Sequence, residues 1–282
     1  MTAAVQTAPA ARSSATRTAV LRRGLVLGLA RGRIELKQFF RNTGAAVFLF
    51  AFPMIMLALM ASIFKGHEKG VDTRQIYATG MLSVGVISSS FQALVMQVTS
   101  ERQGGALKRL RATPMPKISY FLGKVILVAV SSIAQAAIML TLGSLFFGLH
   151  LPTDPAKWVT FTWVFLLGLT GCTMLGLGVS RFVKNSESGM VVTVPFLVLQ
   201  FISGVFIVFA DLPKALQGVA AVFPLKWLCQ GMRSVFLPDG YRSVEPAGTW
   251  EHGRVALVLG GWAVLGLVLC LKTFRWKDPE DG

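Results

Sequence analysis

The chain has 282 residues, 53% of them hydrophobic and only 15% charged, with a formal net charge of +15. Soluble domains are closer to a quarter charged, and several runs of about 20 residues here carry no Asp, Glu, Lys or Arg, the length a helix needs to cross a bilayer. These figures exclude an ordinary soluble domain and predict an all-α polytopic membrane protein.

Residues 1–19 are small, polar and free of acids, without the apolar core of a secretory signal. They read as a disordered cytoplasmic tail. Over 20–43 the pattern turns helical, with Leu25, Leu29, Leu36 and Phe40 near one face and Arg33, Lys37 and Arg41 on its neighbour. A basic amphipathic helix of this kind suits the surface of an anionic leaflet, and it serves as a connecting helix. Six spans are expected within a membrane domain at 44–271: residues 44–64, 76–98, 125–149, 158–180, 189–210 and 255–271. Phe274 and Trp276 would anchor the last at the interface, and 272–282 form a second tail.

Charge sets the orientation. Nineteen of the 28 lysines and arginines fall in residues 1–43, in 272–282 and in connections two-to-three and four-to-five. The positive-inside rule places both termini in the cytoplasm. The basic excess is therefore topological, which removes the motive for a nucleic-acid partner. Between spans five and six, residues 211–237 hold two apolar stretches too short to cross, opening near Pro213 and Pro224, prolines being tolerated in a first helical turn. Short outer helices are expected there, either re-entrant or lying on the surface.

Little in the chain could do chemistry. Cys172, Cys229 and Cys270 are scattered without a CxxC spacing, and His67, His150 and His252 stand alone, so neither a disulfide framework nor a metal site is indicated. No carboxylate falls inside a span. The Gly123-Lys124 pair runs into Val125 and lacks the upstream glycine of a phosphate-binding loop. The absence of intramembrane ionisable groups also counts against an ion-driven carrier. Gln92, Gln97, Gln135 and Gln200 place amides in hydrocarbon, as glue between helices or as part of a solute path. Phe91, Gln92, Gln200, Phe201 and Ser203 are the candidate substrate path, mostly apolar with sparse polar groups; plain core packing explains them equally. Gly168, Cys172, Gly176 and Ser180 recur every four residues as a close-packing ridge.

The segment 101–116, ERQGGALKRLRATPMP, interrupts this apolar chain on the cytoplasmic side. Gly104-Gly105 break the descending helix, Leu107 and Leu110 share a face, Lys108, Arg109 and Arg111 surround it, and Pro114 and Pro116 stop it. The product is a short helix outside the bilayer, with an apolar ridge that a separate motor could push. Glu101 sits at the membrane edge, able to pair with Arg102 or with a partner's arginine.

Residues 100–124 also resemble the intracellular segment of ABC-2 type transporter permeases. Glu101, Arg102, Gly105, Leu107, Leu110, Arg111, Pro114, Tyr120, Gly123 and Lys124 match that pattern. The likeness continues in the helix at 20–41, in Pro53 within the first span and in FPLKWLCQGMRSVF at 223–236. It is strongest for the bacterial drug-exporter branch, similar to daunorubicin-resistance permeases. The resemblance implies a dimer of six-helix subunits in the bacterial plasma membrane. Each subunit is docked by an ABC ATP-binding subunit through a coupling helix built from Glu101, Arg102, Gly105, Leu107, Lys108, Leu110 and Arg111. It implies no cofactor on this chain, with ATP and Mg held by the partner ATPase, and export of a small molecule or lipid. A secondary carrier or channel without an ATPase partner, and a non-transporting assembly component, are the alternative readings.

Overall fold

The computed structural model describes residues 10–113, 115–183 and 190–273. Helix α1 (Ala10–Arg41) runs into α2 (Thr43–Ile63) through Asn42, whose side chain caps the Ala45 amide. A two-residue hairpin, β1 (His67–Glu68) with β2 (Val71–Asp72), leads to α3 (Thr73–Ile87). A π-turn (Ser88–Gln92) joins α3 to α4 (Ala93–Gln103), so that 73–103 form one continuous crossing. Then come α5 (Ala106–Arg111), α6 (Lys117–Phe147), α7 (Pro155–Val179), α8 (Met190–Ile202), α9 (Lys214–Val222), α10 (Pro224–Phe236) and α11 (His252–Thr273).

Five of these crossings are long and apolar enough to span a membrane. They correspond to the expected first, second, third, fourth and sixth spans. The fifth differs. Helix α8 has 13 residues, about 20 Å at 1.5 Å per residue, and the chain then turns at Gly204 (φ +81°) instead of continuing to 210. Two further departures are local. Helix α1 starts at Ala10, so residues 10–19, expected as tail, are helical; their alanines and arginines are strong helix formers. The small hairpin at 67–72 interrupts an otherwise helical chain. Phe274 and Trp276 lie outside the described residues.

In lipid, helices gain little from burying apolar surface against one another, and close approach of small residues takes over. This explains how α1 packs. Gly24, Gly28 and Gly32, one turn apart, press on Ile118, Leu122 and Ile126 of α6; a Cβ at Gly28 would lie 2.5 Å from Leu122 Cδ2. The apolar stripe of α1 is turned largely away from the protein: Leu25, Leu29 and Phe40 are exposed and Leu36 is half-buried. Glycine, with no side chain to keep the helices apart, decides which face turns inward. The expected ridge on α7 is likewise a contact surface: Gly168 meets Leu228 of α10 and Gly176 meets the backbone of Ser90 and Phe91 in the π-turn.

Helix α3 is the centre, buried along almost its whole length between α2, α6, α7 and α10. At one end of the bundle, Gln75 ties three connections together. Its Nε2 donates to the carbonyls of His150 and Phe236, each at 2.8 Å, and its Oε1 accepts from the His150 amide. Lys69 pairs with Asp211 at 2.9 Å in the same region. The connections that the charge rule assigns to the outside thus share one end. Those it assigns to the cytoplasm meet at the other, where the candidate site lies.

Candidate functional site

Three helices each supply two side chains four residues apart, a spacing that puts both on one face a turn apart. Helix α1 gives Arg31 and Glu35, α4 gives Gln97 and Glu101, and α6 gives Tyr120 and Lys124. The Lys124 ammonium lies between two carboxylates, 2.8 Å from Glu35 Oε2 and 2.6 Å from Glu101 Oε1. Arg31 Nη2 is 2.6 Å from Glu35 and 3.6 Å from Glu101. Gln97 Nε2 donates to Glu35 at 2.8 Å, and the Tyr120 hydroxyl donates to Glu101 at 3.0 Å. The side chains of Glu35 and Lys124 are 0% exposed.

The cluster contains two carboxylates and two cations and is neutral overall. Burying such ions is costly, and removing one partner from a buried set typically costs about 3–5 kcal/mol because a charge is left uncompensated. The cluster therefore specifies the relative placement of α1, α4 and α6 more than it adds net stability. Of its members, Glu101, Tyr120 and Lys124 stand out in the sequence. Arg31, Glu35 and the role of Gln97 do not. Glu35 was nonetheless marked: it is the sole acid in the first 43 residues, four positions after an arginine.

Glu101 does not pair with Arg102. The two point apart, Glu101 into the cluster and Arg102 toward α7, where its Nη1 donates to the carbonyls of Ser180 (3.1 Å), Val183 (3.3 Å) and Arg181 (3.4 Å). Those carbonyls belong to the end of a helix, where backbone acceptors lack internal partners and a cation is favoured. Below this level the helix breaks at Gly104, and Gly105 (φ +68°) opens α5. Leu107 and Leu110 are half-buried on α5, while Lys108 and Arg109 are exposed. Arg109 donates back to the Gly104 carbonyl at 2.9 Å. The side chain of Arg111 and the whole of Pro114 lie outside the described residues.

The candidate substrate-path residues occupy two levels. Phe91 and Gln92 belong to the π-turn, a distortion often found at functional sites, and Gln92 Nε2 reaches Thr193 Oγ1 of α8 at 3.4 Å. Gln200 and Ser203 are buried at the far end of α8, and Phe201 is exposed there, its ring 5.0 Å from that of Phe206. Phe91 and Gln92 thus lie beside the start of α8, and Gln200, Phe201 and Ser203 at its far end.

The opposite end holds a second buried ion pair. Arg233 Nε donates to Glu245 at 2.6 Å, and Arg233 Nη1 donates to the Gly204 carbonyl at 3.1 Å. Burial beside this pair pushes the Tyr241 hydroxyl up to about 12, so it stays protonated. A cleft of about 550 Å³ opens nearby, lined by His67, Asp72, Gln75, His150, Lys157 and Asp239. Among the described residues no three His, Cys, Asp or Glu side chains are grouped to hold a metal ion.

Five long apolar helices packed through glycine, with a neutral ion cluster at one end, define a multi-pass, all-α membrane protein. The chain belongs to the ABC-2 family of transporter proteins, whose family model matches residues 60–272. It is accordingly a transmembrane subunit of an ABC transporter. The matched region runs from late α2 to the end of α11 and includes Glu101, Tyr120 and Lys124, whereas Arg31 and Glu35 precede it. No curated protein matches the sequence.

Proposed function

We propose that the chain is the permease subunit of an ATP-driven exporter, docked through α5 by a separate ABC ATPase that binds ATP and Mg. In this reading a second permease subunit completes the transporter in a bacterial plasma membrane. Both termini are cytoplasmic, and α8 counts as the fifth of six membrane helices. The cargo is a hydrophobic or amphipathic compound such as a drug, antibiotic or lipid, passing along Phe91, Gln92, Gln200, Phe201 and Ser203. The drug-exporter branch noted from residues 100–124 is part of this proposal.

The observation that carries the reading is the placement of the buried cluster directly behind α5. Glu101 stands four residues before Gly105 and is held by Lys124 and Arg31. A push on α5 would cross the two-residue break at Gly104-Gly105 to Glu101 and from there reach α1 and α6 through charged contacts. Docking itself draws on Leu107 and Leu110. Fully burying such a side chain is worth about 1.5–3 kcal/mol, whereas an exposed rim charge pair contributes about 0–1 kcal/mol.

The test uses the complex purified in mild detergent. Leu107→Asp with Leu110→Asp should abolish copurification of the ATPase while the permease still inserts. Glu101→Ala should retain the ATPase but separate hydrolysis from transport, since Lys124 keeps Glu35 as its partner. A doubly substituted chain that still binds and drives transport normally would reduce 101–116 to a basic loop.

A further inference from the structure

Proline has no amide hydrogen, so within a helix it leaves the carbonyl four residues earlier without its donor. Pro53 lies in the middle of α2, and the carbonyl it deprives is that of Leu49. In hydrocarbon no water can take over, and an unsatisfied carbonyl there is costly. The structure supplies a substitute from another helix: Gln135 Nε2 of α6 donates to Leu49 O at 3.0 Å. Gln135 is only 5% exposed. Its Oε1 has no partner among the described residues, so the bond to Leu49 is the interaction that accounts for burying this amide. A third helix makes room for it. A Cβ on Gly85 of α3 would stand 2.8 Å from Gln135 Nε2, and Pro53, Gly85 and Gln135 together line a small cavity of about 10 Å³.

We infer that Pro53, Gly85 and Gln135 form a side-chain-bridged joint in α2, with the Gln135 amide standing in for the N–H that proline lacks. Gln135 is then a positioning residue. It sets the angle at which the first half of α2, joined through Asn42 to α1, leaves the bundle. A backbone hydrogen bond breaks only when its helix unwinds. A bond from a neighbouring side chain breaks when α2 and α6 separate, leaving both helices intact. The joint is therefore a place where α2 can swing as a rigid half. This does not depend on an ATPase or on the nature of the cargo.

The inference is tested with four forms of the full-length chain in detergent: the parent, Gln135→Met, Pro53→Ala, and both together. Methionine keeps the shape of glutamine and removes its donor; alanine at 53 restores the amide that Leu49 lacks. Gln135→Met should lower the thermal midpoint by about 2–6 °C in the parent, as loss of one interhelical hydrogen bond in a chain of this size implies. In the Pro53→Ala background the fall should shrink to roughly a third of that or less. A packing role alone would give the same fall in both backgrounds, and that result overturns the inference, as does an unchanged parent. If Gln135→Met fails to accumulate, recovery of the double variant is the readout: recovery supports the joint, and failure of both forms overturns it.

Discussion

Two buried ion sites among the described residues are built on opposite plans. At the end carrying α5, one lysine is shared between two carboxylates and a second cation lies within reach of both, and the members come from helices 23 and 89 residues apart. At the other end, Arg233 and Glu245 are 12 residues apart and bond to each other. The third member there is a backbone carbonyl, which cannot change its charge or leave. A shared ion can transfer weight from one partner to another as helices shift, because the charge stays compensated throughout. A dedicated pair holds one geometry or is broken. The first plan suits a part that moves, and the second suits a clamp that fixes the α8–α9 turn against α10.

The largest effects should come from single substitutions, and the double ones should tell the two plans apart. Arg233→Met leaves Glu245 without its cation and Lys124→Met leaves two carboxylates to share Arg31, so each should cost about 3–5 kcal/mol; thermal or denaturant unfolding in detergent reads this. Adding Glu245→Leu to Arg233→Met should recover stability to within about 1 kcal/mol of the parent, because both members of a closed pair are then apolar. Adding Glu35→Leu to Lys124→Met should recover less, because Arg31 loses its 2.6 Å partner Glu35 and keeps only Glu101 at 3.6 Å. Equal recovery at both ends would erase the distinction.

A smaller effect sharpens the same contrast. Gly105 and Gly204 both adopt positive φ, but a Cβ at Gly105 would meet nothing within 4 Å, whereas one at Gly204 would lie 3.0 Å from Phe209 Cβ and 3.1 Å from Arg233 Nη1. Gly105→Ala should therefore cost only the left-handed backbone penalty, about 1–2 kcal/mol. Gly204→Ala should cost measurably more. The smallest signal is topological. The native cysteines are buried, so a cysteine at exposed Ser243 should take an impermeant label from outside intact cells, and one at exposed Lys108 should not.

Much of this architecture was legible in the sequence, and what escaped has a common cause. Long charge-free runs gave five crossings, and Gly104-Gly105 gave the break before α5. The glycines at 24, 28 and 32 were equally readable, but an apolar stripe reads more strongly than small residues, and it is the small residues that meet α6. Helix α8 stopped short because hydropathy does not register the turn at Gly204. The ion cluster escaped because each helix shows only an unremarkable pair four residues apart. Nothing in α1 says that Glu35 will meet Lys124, and nothing in α6 says that Gln135 will find Leu49. Those are facts about helix register, set by packing across the bundle, and a linear reading does not contain them.

The position of Gln75 has a consequence for how the molecule is made. Its amide bonds a carbonyl 161 residues further along the chain, and at roughly 5–20 residues per second of synthesis that partner emerges about 8–32 s after α3. During this interval the helix destined for the centre of the bundle has lipid where α7 and α10 will later be. Its hydroxyls need no outside help meanwhile: Thr79 donates to Ile76 O, Ser83 to Thr79 O, and just beyond α3 Ser90 donates to Val86 O. Each of these three hydroxyls is satisfied by the turn of helix before it. These hydroxyls therefore stay hydrogen-bonded within their own helix before its later neighbours are made.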